Sequence, residues 1–429
     1  MKPNPSDELA YRSRPIEWSA PERLAVCSLL HGGPRARLER YRVLELGSGD
    51  GANLIPLAYY RSHAEFVGVD GSRKHVDVAE TKRRELGLLN LRFVHEDFAV
   101  AARELEGTFD FILMHGVFSW VSDTTRDLLL ALCAAKLAPG GLLYLNYNAK
   151  PGWNIRGMVR EFLLAQTQHM ADLVARAGFA QQVAAKAVQS FEGAEHAYAH
   201  LMAQEFRFVC SGHPSWIAHE FLAPDNHAYW RSEFLALANA VGLRHVADAD
   251  FNYDSGRLPV DAMQRLSKAG LDTSTVDDTL DFVSYRQMHA PILTQATWAA
   301  VPATADELSR LSIASALAPL RQGLDPPAQF RHPTTGYEVE VRSDALSRAL
   351  LTLAKHFPQS FEMGSLFGDV TTVTDDVKLL YEHGLISLSL PQPTACLPTA
   401  ALHECERRWA DHLTDPYHRL LIDEGGTAK

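Results

Sequence analysis

Three glycines and a set of carboxylates hold the chemistry available to this chain. Val43-Leu44-Glu45-Leu46 is an apolar run carrying one acid, and Gly47, Gly49 and Gly51 follow at alternate positions. Asn53 then opens a helical pattern. A strand, a tight turn at Gly47-Ser48-Gly49 and a helix start let a ligand reach the backbone, because glycine has no Cβ and tolerates positive φ. The spacing is G-x-G-x-G, not the dinucleotide G-x-G-x-x-G, whose pyrophosphate wants a nearby helix N-terminus. An acid inside the strand end, Glu45, suits a cation. A nucleotide and a plain tight turn are the other readings of this segment.

Further carboxylates recur at strand ends. Glu65 to Asp70 reads as a second buried strand, and Asp70 with Gly71 lies at the carboxyl edge, where a carboxylate accepts both hydroxyls of a ribose; a solvated strand-end Asp is the alternative. Leu91 to Asp97 is a third strand. Asp97 and Phe98 fit an adenine pocket, the acid taking the exocyclic amine and the ring packing on the base. Asp97 equally fits an N-cap of the helical stretch at Val100, and both roles are compatible. A fourth strand, Phe109 to Met114, runs into His115 and the loop Phe118-Ser119-Trp120. Then come a helix from Thr124 to Leu137, the punctuation Ala138-Pro-Gly-Gly141, and a fifth strand, Leu142 to Asn148. Five strands alternating with helical patterns predict a parallel α/β sheet.

Around this sheet the chain divides into four segments. Residues 1–154 form a core with an N-terminal segment, in which Tyr11 either closes the site or tethers the terminus. Residues 155–206 have helical spacing and predict a cap or a dimer contact; Met158, Phe162, Leu163 and Met170 are a partner stripe or core. Residues 207–296 return to the sheet, with a helix from Trp230 to Val241, a sixth strand from Leu243 and a last, antiparallel strand within Arg286 to Leu293. There Pro291 requires an edge or a bulge. Residues 297–429 suggest a small winged-helix-like unit. Its helix from Thr374 carries Asp375, Asp376, Lys378 and Glu382, too acidic a face for a phosphate backbone, so protein contact or a dimer surface is the better reading.

The glycine segment resembles the first motif of class I S-adenosylmethionine (SAM) methyltransferases. His115-Gly-Val-Phe-Ser-Trp-Val121 and Tyr147-Asn-Ala-Lys-Pro-Gly-Trp153 resemble segments of bacterial members that carry a methyltransferase regulatory domain, and the protein-lysine methyltransferases of rickettsiae are similar. The resemblance spans roughly residues 10–295. It implies a Rossmann-like, seven-stranded class I methyltransferase sheet and SAM as cofactor. It implies cofactor contacts by Glu45, Gly47, Ser48, Gly49, Asn53, Asp70, Gly71, Asp97, Phe98 and His115. The chain departs from the family at Lys150, Met288 and His289, which bears on the acceptor rather than the cofactor.

For an amine acceptor, Tyr11, Phe118, Trp120, Tyr147 and Trp153 would recognise substrate, since aromatic faces desolvate an amine and hold a methylated cation; packing of the cap is the alternative. His115 and Tyr147 are the candidate proton acceptors. A protein-lysine acceptor is the expectation from the resemblance, with a small molecule or modified peptide, or a non-catalytic SAM-binding subunit, as alternatives.

Composition is consistent with this. The 429 residues are 46% hydrophobic and 22% charged with a net charge of −11, ordinary for a multidomain globular chain and unsuited to nucleic acid as partner. Five scattered cysteines without C-x-x-C predict reduced thiols, no zinc and a cytoplasmic location. The histidines form no ligand cluster, so no metal is expected. No apolar signal core and no run long enough to span a bilayer are found. A homodimer is compatible with the helical segment.

Overall fold

The computed structural model describes residues 11, 13–249, 273–321, 327–333 and 335–391. The parts of the expected segments at 1–10, 250–272 and 392–429 lie outside the described residues.

A one-turn 3-10 helix at Glu17–Ser19 leads into α1 (Pro21–Leu30). Then β1 (Arg42–Leu46), α2 (Leu54–Tyr60), β2 (Glu65–Asp70), α3 (Arg73–Glu85), β3 (Leu91–His95), α4 (Phe98–Glu104), β4 (Phe109–Met114), α5 (Asp123–Lys136) and β5 (Leu137–Leu145) alternate. The paired strands are parallel: β1 lies between β2 and β4, β3 flanks β2 and β5 flanks β4. Val43, Leu44, Leu46, Phe111 and Ile112 are fully buried, as strands covered by helices on both faces must be.

The Pro-Gly-Gly segment does not precede the fifth strand, as expected from sequence; it lies inside it. Leu137 pairs with Phe109 and Leu142 with Phe111, so the intervening residues bulge out. Gly141 permits this, since a Cβ there would lie 2.9 Å from the Ala138 carbonyl oxygen. The strand also ends early. Tyr147–Ala149 peels away as β6 and pairs with β7 (Ala228–Tyr229) and β9 (Met288–His289).

Helices α6 (Gly152–Thr167), α7 (Leu173–Ser190), α8 (Ala197–Ser211) and α9 (Pro214–Phe221) form the cap. It therefore extends past residue 206, the boundary expected from sequence. Its interior joins Leu163, Phe206, Ile217 and Phe221 with Ala177, Ala180 and Ala184, small residues on one face of α7 that let α8 pack closely. Of the expected stripe, Leu163 is core, whereas Met158 and Phe162 are exposed. The Arg156 guanidinium pairs with Glu205 at 2.9 Å, both buried, and Tyr285 donates to Glu205 at 3.0 Å.

The chain then returns to the sheet through α10 (Arg231–Ala240), β8 (Leu243–Asp248), α11 (Thr273–Ser284) and β10 (Pro291–Gln295). The strand order is β3-β2-β1-β4-β5-β10-β8, with β10 antiparallel to both neighbours. This is the seven-stranded class I methyltransferase sheet. The last strand starts at Pro291, later than the expected Arg286, because Met288 and His289 are used by β9. Proline is tolerated here as the first residue of an interior strand, with a register irregularity between Ile292 and Leu293.

The C-terminal unit comprises α12 (Ala305–Ser309), β11 (Ser312–Ala314), β12 (Ala318–Pro319), β13 (Ala328–Arg331), β14 (Glu338–Val341), α13 (Asp344–His356), β15 (Phe361–Glu362), α14 (Met363–Phe367), α15 (Thr374–Glu382) and β16 (Ser387–Ser389). Two three-stranded sheets, β15-β11-β16 and β12-β13-β14, flank its helices. Strands β12, β13 and β14 pair antiparallel in sequence order, the last of them on the alternating residues Glu338–Val341. The unit docks on α1: Tyr381 Oη lies 3.6 Å from Cys27 Sγ, His31 pairs with Glu382 at 3.2 Å, and Arg35 with Glu307 at 2.8 Å. No helix among the described residues is long and apolar enough to cross a membrane.

Candidate active site

The parallel strands deliver Glu45, Asp70, Asp97 and His115 to one carboxyl edge, as the register requires. Gly47 and Gly49 have φ of +80° and +53°, which an L side chain adopts at a cost. At Gly47 a Cβ would lie 2.3 Å from Val117 Cγ2, and at Gly49 2.6 Å from Ser13 Oγ. Both glycines thus face walls built by other segments. Gly51 serves packing instead, with Phe93 and Ile55 within 2.8 Å of a Cβ there.

The amides of this turn are already used. Gly47 N and Ser48 N donate to the Val69 carbonyl, at 2.8 and 3.1 Å, and Gly51 N donates to Ser48 O at 3.1 Å. Gly49 N donates to Asp70 Oδ2 at 2.9 Å, and Ser72 N to Asp70 Oδ1 at 2.8 Å. No nest of amides is left at these positions for a pyrophosphate.

Glu45 has the opposite need. Its Oε1 accepts from Asn53 Nδ2 at 2.8 Å, while Oε2 is buried with no hydrogen-bond donor. Burial pushes its pKa up to about 8, against the Asn53 hydrogen bond and aided by the charge of Asp70. An orphaned buried carboxylate oxygen is suited to an ammonium, and the α-ammonium of SAM supplies one. Ser48 Oγ is likewise buried without a partner. Asn53 also accepts from Ile16 N at 2.9 Å and donates to Ser19 Oγ at 3.0 Å, which ties the N-terminal segment across the cradle.

Asp97 caps α4, accepting from Ala99 N at 2.8 Å, and the adjacent Phe98 is half-buried. One carboxylate thus serves the cap and keeps further acceptor capacity, so the two roles are compatible. Gly71 is half-buried beside Asp70.

His115 Nδ1 and Tyr144 Oη are 2.7 Å apart, and the Trp18 ring lies 6.3 Å away. Burial first, then the Arg14 charge, push the His115 pKa down to about 4, so it is neutral and weakly basic at pH 7. Tyr147 is a weaker candidate still. It stacks on Phe234 at 4.2 Å, and burial raises its phenol well above the usual value. Phe118 is fully buried against Tyr229 and Phe234, at 5.7 and 5.6 Å. For these two aromatics the packing role left open by sequence is the one the structure displays. Trp120 and Trp153 meet edge to face at 5.4 Å, Trp153 buried and Trp120 half-buried. Tyr11 is 39% exposed and stands edge-on to His219 of the cap at 5.4 Å, between the N-terminal segment and α9.

In the N-terminal segment, where sequence singled out Tyr11, it missed Ser13, Arg14 and Ser19. It also missed Asn146, whose Oδ1 accepts from Gly116 N at 2.6 Å and fixes the loop after His115. The Asn-Tyr-Asn run at the end of β5 was the available signal.

Residues 43–141 match the family described as a methyltransferase domain, and residues 213–295 the family described as a predicted methyltransferase regulatory domain. The chain is a class I methyltransferase-fold protein with a methyltransferase regulatory domain. RP789 of Rickettsia prowazekii is 30% identical over 291 residues, covering 68% of this chain and 52% of that protein. A ubiquinone biosynthesis O-methyltransferase of Agrobacterium fabrum is 36% identical over 142 residues, 30% of this chain and 53% of that relative. The chain thus spans about half the length of these two relatives. PKMT2 of Rickettsia typhi, whose structure contains AdoHcy, aligns with a TM-score of 0.76 at 20% identity, over 89% of this methyltransferase-fold chain and 78% of PKMT2.

Gly47→Ala is expected to weaken binding of S-adenosylhomocysteine (SAH) by about tenfold or more, since the strained φ alone costs about 1–2 kcal/mol and the methyl meets Val117. Isothermal titration calorimetry reads this; an unchanged affinity would show that the cradle is not the binding surface.

Proposed function

We propose that this protein transfers the methyl group of SAM to a protein lysine side chain. The carrying observation is the donor-less buried oxygen of Glu45 above a glycine turn whose amides are taken. That combination favours a cationic amino-acid ligand over a diphosphate. When bound, SAM supplies a methyl on a sulfonium, which leaves without acid assistance. The residues of this chain have positioning tasks: Glu45 and Asn53 hold the ammonium, Asp70 the ribose hydroxyls, and Asp97 with Phe98 the adenine. Val117 and the segment from Ser13 to Ser19 shield the cradle from water. A His115 of lowered pKa and a Tyr147 held as the protonated phenol offer no ready base, which fits a reaction in which the acceptor nitrogen arrives already neutral.

The lysine acceptor is supported by the resemblance of the two aromatic loop segments and by the PKMT2 fold match. Incubation of cell lysate with methyl-labelled SAM and the purified protein tests it by peptide mass spectrometry. Label on lysine-containing peptides is expected. Label confined to the low-mass fraction would replace this reading with a small-molecule acceptor, and no transfer at all would point to a non-catalytic subunit.

A further inference from the structure

We infer that Asn148 orients the methyl acceptor, its side-chain amide accepting an N–H of a neutral amine so that the nitrogen lone pair faces the methyl group. The inference rests on the methyltransferase reading and deepens it. Asn148 sits in β6, where the register fixes the face its side chain takes. It pairs with Met288 of β9 and with Ala228 of β7, and cross-strand partners share a face. Asn146 joins that face: its Nδ2 donates to Met288 Sδ at 3.0 Å and its Oδ1 accepts from Gly116 N at 2.6 Å. Tyr147 takes the opposite face with its own partner His289, the rings 5.4 Å apart. The face that carries Asn148 is therefore the one on which the loop after His115 lies. That loop joins Asn148 to the cofactor cradle. Val117 walls Gly47, where a Cβ would lie 2.3 Å from Val117 Cγ2, and Ser119 Oγ accepts from Asn148 N at 2.8 Å. Val117 and Ser119 Cα atoms are separated by at most about 7 Å of extended chain.

The amide of Asn148 has an unmet need. The residue is 7% exposed, and Nδ2 is buried with no hydrogen-bond partner. Among the described residues the side chain makes no hydrogen bond, and the bond to Ser119 uses the backbone N–H. Nothing in the protein therefore fixes which end of the amide turns inward, and either a donor or an acceptor can be presented. A buried amide without partners is costly, and a ligand that supplies one removes that cost. Being neutral, the amide gives an ammonium no charge partner. Its oxygen instead accepts an N–H and leaves the nitrogen lone pair free, in keeping with a site that lacks a ready base. No proton passes to Asn148: the N–C bond forms as the C–S bond breaks, and the positive charge moves from sulfur to nitrogen. Trp120 follows Ser119 and meets Trp153 at 5.4 Å, which places aromatic faces nearby for the methylated cation.

The probe is N-acetyl-lysine methylamide, with N-acetyl-norleucine methylamide as its amine-free counterpart. Each is titrated into the SAH-loaded protein by isothermal titration calorimetry. Wild-type affinity for the lysine derivative is expected to rise about tenfold from pH 8 to pH 9, because the neutral fraction of an amine with a pKa of about 10.4 grows by that factor. Affinity for the norleucine derivative should stay constant. Asn148→Ala and the similarly sized Asn148→Leu are expected to bind the lysine derivative about tenfold more weakly than wild type at pH 9, the worth of one hydrogen bond to a buried amide. Both should keep wild-type affinity for the norleucine derivative and for SAH, which also reports an intact fold. A merely structural asparagine would weaken both derivatives alike, and that result overturns the inference. So does loss of SAH affinity in both variants, or wild-type affinity for the lysine derivative in either variant that binds SAH. A wild type that binds SAH but shows no rise with pH overturns the inference together with the lysine acceptor and leaves the cofactor reading standing. Failure of the wild type to bind SAH overturns the cofactor reading and this inference with it.

Discussion

Asp70→Ala is expected to cost about a hundredfold or more in affinity for SAM and for SAH. The side chain has two duties at the carboxyl edge of β2. Its oxygens accept from Gly49 N at 2.9 Å and from Ser72 N at 2.8 Å, so it holds the glycine turn in shape before any ligand arrives. In the proposed complex the same oxygens accept ribose hydroxyls with their remaining lone pairs. Alanine deletes both at once. Each hydrogen bond to a charged group is worth about 1.5–3 kcal/mol, so a hundredfold loss, about 2.7 kcal/mol, needs the equivalent of only one or two. Asp70→Asn keeps the size and one acceptor oxygen and should fall between. Titration calorimetry with SAH gives the three affinities. Wild-type affinity in the alanine variant would remove Asp70 from the site.

Much of this site was legible because strands impose it. A parallel sheet brings the ends of consecutive strands to one edge, so Glu45, Asp70, Asp97 and His115 were placed together by order alone. The glycine turn was legible because its φ values exclude other residues. What the sequence concealed has a common cause: contacts set by distant pairing. Tyr147 reads from sequence as a site residue near the end of the fifth strand. It is instead drawn into β6 by Met288 and His289, and its ring is taken by Phe234. The bulge in β5 depends on where Phe109 and Phe111 stand in β4. The N-terminal segment has no periodic pattern, and its place over the cradle rests on Asn53 accepting from Ile16 N, 37 residues away.

The second large effect follows from the protonation of Glu45, and it ties stability to binding with opposite signs. Burial lifts this carboxyl from an ordinary 4.5 to about 8. At pH 7 the ligand-free protein therefore holds it mostly neutral. A folded-state pKa above the unfolded one means that the contribution to stability is complete below about 4.5 and is lost as pH rises through about 8. Within that window the loss from this group is up to about 1.4 kcal/mol per pH unit. Denaturant unfolding of the ligand-free protein should accordingly show stability falling between pH 5 and 8, and Glu45→Gln should flatten that fall. An ammonium beside Oε2 reverses the preference, because it favours the carboxylate. Binding of SAH at pH 7 should then release close to one proton. The release is measured as a difference in apparent binding enthalpy between phosphate and Tris buffers, and it should be absent in Glu45→Gln. That variant keeps the shape of the cradle but offers no charge, so its SAH affinity should drop by roughly ten- to a hundredfold, the worth of one charge-assisted hydrogen bond. If the wild type released no proton and the variant bound as tightly, the orphaned oxygen would have no cation to receive, and the choice of SAM over a diphosphate would lose its physical ground.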